Sequence, residues 1–138
     1  MEFTSGKDFA EQIKELAALL ERNKDKVATE QATKMALVDP FLKVLGYETS
    51  DPDEVIPEYT TDYHGQKKDE KIDYVLAIEK EPRILIEVKT VRSILPEKSH
   101  QLLKYFVAMK IKFPLLRFAI LTNGIQYKFF SDFDQQNI

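Results

Sequence analysis

The sequence predicts an α/β domain with a central mixed sheet flanked by helices. Three observations carry this. Apolar residues recur at helical spacing near the start of the chain and again after Pro96. Two runs rich in branched residues, 72–78 and 83–90, read as adjacent strands. Two further short apolar segments bracket Asn123-Gly124, a strong signal for a two-residue hairpin. The element order is α, α, β, β, β, α, β, β, with no internal repeat.

The elements follow in turn. Phe9, Ile13, Leu16, Ala17 and Leu20 share one face of a helix over 6–22. A polar break at 23–26 separates it from a second helix that starts near Val27 and carries Met35, Leu37 and Val38. Pro40 ends or kinks that helix, and Gly46 stops any further turn. A short strand is expected at 54–59 and a polar loop at 60–70. The strand at 72–78 turns through 79–82 into the strand at 83–90. The latter contains Ile84-Leu85-Ile86 and reads as central and buried. Pro96 opens a helix to about Lys112, with Leu102, Leu103, Phe106, Val107 and Met109 as its apolar face. Strands at 118–121 and 125–130 close the order.

Composition sets limits. At 138 residues, 1–138 reads as one domain, the helix over 6–22 being an N-terminal addition. The polar end from Asp132 to Ile138 reads as the place where a longer chain was cut. With no cysteine, disulfides, thiolate metal sites and thiol nucleophiles are excluded. The start, Met1-Glu2-Phe3-Thr4, does not read as a signal peptide, and no apolar run approaches the ~20 residues of a membrane span. These features fit a cytoplasmic protein. A net charge of −3 argues against a free-standing, tight nucleic-acid binder. That charge is uneven: 65–112 carries 11 Lys/Arg against 7 Asp/Glu, and the remainder 9 against 16.

The basic excess surrounds the residues that point to chemistry. Asp73 lies near the start of one apolar strand, and Glu87-Val88-Lys89 ends the next. Folding at 79–82 brings both acids to the same end of the sheet, with Glu87 and Lys89 on one face. Two hard oxygen donors there suit Mg²⁺, which prefers carboxylates, waters and phosphate oxygens. Such an ion polarises a phosphate and acidifies water, while a lysine beside it orients the attacking water. The competing reading is a surface-paired Glu and Lys on a strand. Gln101 and Tyr105, four apart on the following helix, either hydrogen-bond to neighbouring structure or orient that lysine and touch phosphate. Glu30 either complements its helix N-terminus, with Thr29 as cap, or reaches the metal site. His64 and His100 lie in polar surroundings that suit exposed or hydrogen-bonding roles.

These residues resemble the PD-(D/E)xK nuclease superfamily, and Gln101-x-x-x-Tyr105 is similar to the motif of its RecB-like members. More narrowly, three segments resemble the N-terminal nuclease domain of type I restriction enzyme R subunits. They are Thr29-Glu30-Gln31-Ala32-Thr33 through Asp39-Pro40-Phe41-Leu42-Lys43-Val44-Leu45-Gly46-Tyr47, the hairpin from Asp73 to Lys89, and Ile120-Leu121-Thr122-Asn123-Gly124-Ile125. The resemblance implies a restriction-endonuclease-like core that cuts DNA with Mg²⁺, for which Mn²⁺ can substitute. It implies Asp73, Glu87 and the Val88 carbonyl as metal ligands, Lys89 as the catalytic lysine, Glu30 as a helix acid near the metal, and Gln101 and Tyr105 as accessory residues. It further implies DNA as partner, together with motor, specificity and methylation subunits or further C-terminal domains. Ile72 replaces the proline of the strict motif. No Gly-x-x-x-x-Gly-Lys loop is present, so no ATP site is visible in this chain. The alternative to an enzyme is a catalytically inactive nuclease-like module that binds nucleic acid or protein.

Overall fold

The computed structural model describes residues 7–60 and 71–132. Most of the loop expected at 60–70, with His64, lies outside the described residues, as does the chain after Asp132. Helix α1 (Phe9–Asn23) begins on Asp8, whose carboxylate accepts the Glu11 N–H. A 3₁₀ turn, Lys24–Lys26, occupies the expected polar break. Helix α2 (Glu30–Thr33) starts three residues later than expected, because the Thr29 hydroxyl caps it by accepting the Ala32 N–H.

Pro40 neither ends the helical run nor simply kinks it. Its ring would clash with the Ala36 carbonyl of a regular α-helix. The chain instead widens into a π-helical segment, Lys34–Val38, and continues as α3 (Asp39–Leu45), with Pro40 in the first turn. The Asp39 N–H reaches back to the Lys34 carbonyl, five residues away. Gly46 then caps α3 at φ 110°, as the sequence predicts.

Five strands form one sheet in the order β1-β2-β3-β4-β5. They are β1 (Val55–Tyr59), β2 (Ile72–Ile78), β3 (Glu81–Val88), β4 (Phe118–Thr122) and β5 (Tyr127–Ser131). The first three run antiparallel, β3 and β4 are parallel, and β5 returns antiparallel. The sheet is therefore mixed. The parallel step requires a crossover, supplied by α4 (His100–Lys112).

Two apolar layers cover the sheet. Leu102, Tyr105, Phe106 and Met109 of α4 pack on Val75, Leu85, Ala119 and Leu121. On the other face, Val38 and Leu42 pack on Tyr74, Leu76, Ile86, Val88 and Ile120. The buried α4 positions step by three and four residues. Val107 falls outside that stripe and is 65% exposed, and Met35 on the π-helical segment is likewise exposed, against expectation. Helix α4 also starts later than Pro96 suggests. Ser99 caps it through the Leu102 N–H, leaving Pro96 in the preceding loop, where its carbonyl accepts from Lys128.

Asn123-Gly124 does turn the chain, but within a four-residue loop. The Asn123 side chain accepts the N–H groups of Ile125 and Gln126, which delays β5 to Tyr127. Gly124 has φ +89°, and a Cβ there would lie 2.8 Å from Leu37 Cβ. The loop is thereby seated directly on the π-helical segment.

The β2–β3 turn is tighter than the four residues expected. Ile78 pairs with Glu81, so only Glu79 and Lys80 form it, at φ 53° and 67°. Both are in the left-handed region, which costs about 1–2 kcal/mol for a residue with a side chain. Replacing the pair by Asn-Gly is expected to stabilise the domain by roughly 1 kcal/mol, raising the urea midpoint; an unchanged midpoint would count against this turn geometry.

Tyr74 and Tyr127 are phenols set into the sheet. Burial, reinforced by the hydrogen bond to Asp39, pushes Tyr74 far above its ordinary range, and burial does the same to Tyr127. An unfolded chain ionises these groups near pH 10. Above that value the folded state holds more protons than the unfolded one, so stability falls as pH rises past about 10. In an alkaline titration, these two phenolates should appear only with unfolding. Tyr74→Phe and Tyr127→Phe should each remove part of that late absorbance step.

Candidate metal and phosphodiester site

The register of β2 on β3 builds the site. Near the turn Ile78 pairs with Glu81 and Ala77 with Pro82, whereas beyond it Leu76 pairs with Ile84. Arg83 is the extra residue of this bulge. The pairing runs to Tyr74 and Ile86, so Asp73 and Glu87 follow at the same end of the two strands. Glu87 and Lys89, two apart, share a face with Leu85, the face covered by α4. Lys34 reaches Asp73 from the helical run on the other face.

The contacts at Asp73 are specific. Its Oδ2 accepts the Val88 N–H at 2.7 Å, joining the ends of β2 and β3. Its Oδ1 is 2.7 Å from the Lys34 ammonium. Lys34 also lies 5.9 Å from the centroid of the Tyr74 ring, whose hydroxyl donates to Asp39 at 2.6 Å. Sequence reasoning missed Lys34. A lysine four residues after Glu30 on an amphipathic helix gives no signal of its own.

Glu87 is held differently. Its side chain is 13% exposed, and Oε1 lies 3.6 Å from Lys89 Nζ. This is the pairing that a plain structural strand would show. Oε2, however, is buried with no hydrogen-bond partner among the described residues. Leaving such an atom unpaired is costly. Lys89 is fixed through its backbone, donating N–H to the Thr122 carbonyl at 2.8 Å, while its side chain keeps 39% exposure.

The other candidates are placed less closely. Glu30 is exposed in the first turn of α2, one turn before Lys34 on the same helical run. Tyr105 is 1% exposed, within the core under α4, and Gln101 is half-buried one turn earlier. His100 is the exposed first residue of α4. Glu58 occupies the β1 position across from Asp73 at φ 50°, with its side chain exposed. Among the described residues no three His, Cys, Asp or Glu side chains gather as a metal-binding group. A cation here would have two carboxylates and the backbone as protein ligands. Glu87 Oε2, buried with no hydrogen-bond partner among the described residues, fits a hard cation of the Mg²⁺ type.

No helix among the described residues is long and apolar enough to cross a membrane. No curated protein and no solved structure matches the chain. Residues 61–138, more than half the sequence, match the family described as type I restriction enzyme R protein N terminus, a span that takes in Asp73, Glu87, Lys89 and α4. The chain belongs to that family.

Proposed function

We propose that this domain is a Mg²⁺-dependent endonuclease that hydrolyses DNA phosphodiester bonds as the cleavage module of a type I restriction system. The observation that carries this reading is Glu87 Oε2, buried with no hydrogen-bond partner among the described residues, at the strand ends that Asp73 joins through the Val88 N–H. Asp73, Glu87 and the Val88 carbonyl are the residues that would hold the ion. When bound, Mg²⁺ supplies Lewis-acid polarisation of the phosphate and lowers the pKa of water. Lys89, whose ammonium lies on the same face, orients the attacking water and stabilises the charge that develops on phosphate. Glu30 serves as an acid near the ion, from the helix that also brings Lys34. Gln101 is the accessory residue with solvent access, while Tyr105 acts by seating α4 on the sheet. Target choice falls to partners, the specificity, methylation and motor subunits or further domains, since the basic excess of 65–112 is modest.

One observation favours a second reading, a nuclease-like module that binds nucleic acid or protein without cutting. Each acid already faces a lysine, Asp73 with Lys34 and Glu87 with Lys89. The readings part on cation binding and on nicking. Supercoiled plasmid with Mg²⁺ should be nicked by the domain. Asp73→Asn, Glu87→Gln and Lys89→Met should each slow nicking by about a hundredfold or more. Mn²⁺ should raise the melting temperature of the parent and not of Glu87→Gln. Full activity in all three variants, or no cation effect on the parent, would leave only the binding module.

The two acids should also differ in stability measured without divalent cation. Asp73→Ala strands the Val88 N–H and the Lys34 ammonium, and should cost roughly 2 kcal/mol. Glu87→Gln replaces a buried, half-paired carboxylate by a neutral amide, and should be neutral or stabilising in chelator. Urea unfolding of both variants measures the contrast; equal losses would contradict it.

A further inference from the structure

Lys34 stands outside every motif of the candidate site, yet it makes one of the closest contacts there. Its side chain is 12% exposed and its ammonium is 2.7 Å from Asp73 Oδ1. Lysine ordinarily extends its charge into water, and burying it is tolerated only against a well-placed partner. Here the partner is the acid expected to hold a divalent ion. The Val88 N–H takes one lone pair of Oδ2 and the ammonium one of Oδ1. An ammonium and a dication repel, so the ion pair at Oδ1 opposes a dication on the same carboxylate. Lys34 also opens the π-helical segment, and such widened turns concentrate at functional sites. The widening is independent of the ion pair: it follows from Pro40, and its far end is fixed by Leu37 against Gly124.

We infer that Lys34 is a positioning residue that occupies the cation's place on Asp73 and sets the affinity of the site for divalent metal. It holds the Asp73 carboxylate towards Val88 while no dication is bound. It withdraws from Oδ1 when one enters. This inference rests on the metal-site reading given above and deepens it. Cation affinity is then reduced by the fraction of molecules in which Lys34 blocks Asp73.

The test is calorimetric titration of Mn²⁺ into the full chain, compared with Lys34→Met and Lys34→Arg. Removing the competing charge should tighten Mn²⁺ binding by about tenfold, the factor for blockage in nine-tenths of molecules. Lys34→Arg, which keeps the charge, should bind as weakly as the parent. A second readout needs no variant to fold. In the parent, the Lys34 ε-methylene resonance should move on saturation with Mg²⁺ as the ion pair breaks. Mn²⁺ binding that is unchanged or weaker in folded Lys34→Met, or an ε-methylene that stays in place at saturating Mg²⁺, overturns the role of Lys34 while leaving the metal site standing. Absence of Mn²⁺ binding in the parent and in Lys34→Met alike overturns the metal site itself, and this inference with it.

Discussion

A one-residue slip in the β2–β3 hairpin is the constraint on which the site depends. The two-residue turn at Glu79 and Lys80 would, in a regular ladder, set Asp73 across from Ile86. Glu87 would then stand across from Ile72, and the two acids would point to opposite faces. The bulge at Arg83 shifts the pairing by one, so that Tyr74 pairs with Ile86 and Asp73 and Glu87 follow at the same end of the hairpin. Past the bulge, the apolar residues stay in their layers: Val75 with Leu85 under α4, and Leu76 and Tyr74 with Ile86 under α3. One unpaired residue thus reconciles a short turn with two apolar layers.

The helical layer is tied to this hairpin through irregular backbone. Pro40 forces a wider turn ahead of it, and the widened stretch supplies Lys34 at one end and Leu37 and Val38 beyond. Val38 packs into the core under the sheet, Leu37 closes on Gly124, and Lys34 reaches Asp73. Three parts of the chain, the first helical run, the central hairpin and the β4–β5 loop, meet there. Asn123 adds the loop before α4, donating to the Ser93 carbonyl at 3.0 Å. A change at Gly124 or Pro40 would therefore be felt at Asp73 without either residue touching it.

The parts legible in the sequence were those set by short-range periodicity. The element order is readable, as are the strand at 72–78 and the Gly46 stop, because alternation and turn residues act locally. What was not readable depends on partners far along the chain. The bulge at Arg83 leaves no mark in the alternation of β3. The π-helical segment arises from Pro40, but whether a helix ends, bends or widens there is decided by what packs on Leu37 and Val38. The late starts of α2 and α4 are local by contrast: the Thr29 and Ser99 hydroxyls accept N–H groups three residues on, and these caps rather than Val27 and Pro96 set the boundaries. Tyr105 read as an accessory residue by spacing and is also a core residue by burial.

Asp73 and Glu87 look equivalent as a sequence motif and are physically unlike. Asp73 is built into the fold: one oxygen secures the end of β3 and the other anchors the helical layer. Its presence can be explained by stability alone. Glu87 cannot. It lies between Ile86 and Val88 on a strand covered on both faces, where apolar residues are the ordinary choice. Lys89 Nζ stands 3.6 Å from Oε1, and Oε2 is buried with no hydrogen-bond partner among the described residues. A carboxylate in that position costs stability. Local rules are broken where function requires it, and Glu87, not Asp73, is the residue whose place in the strand a metal-binding role would explain.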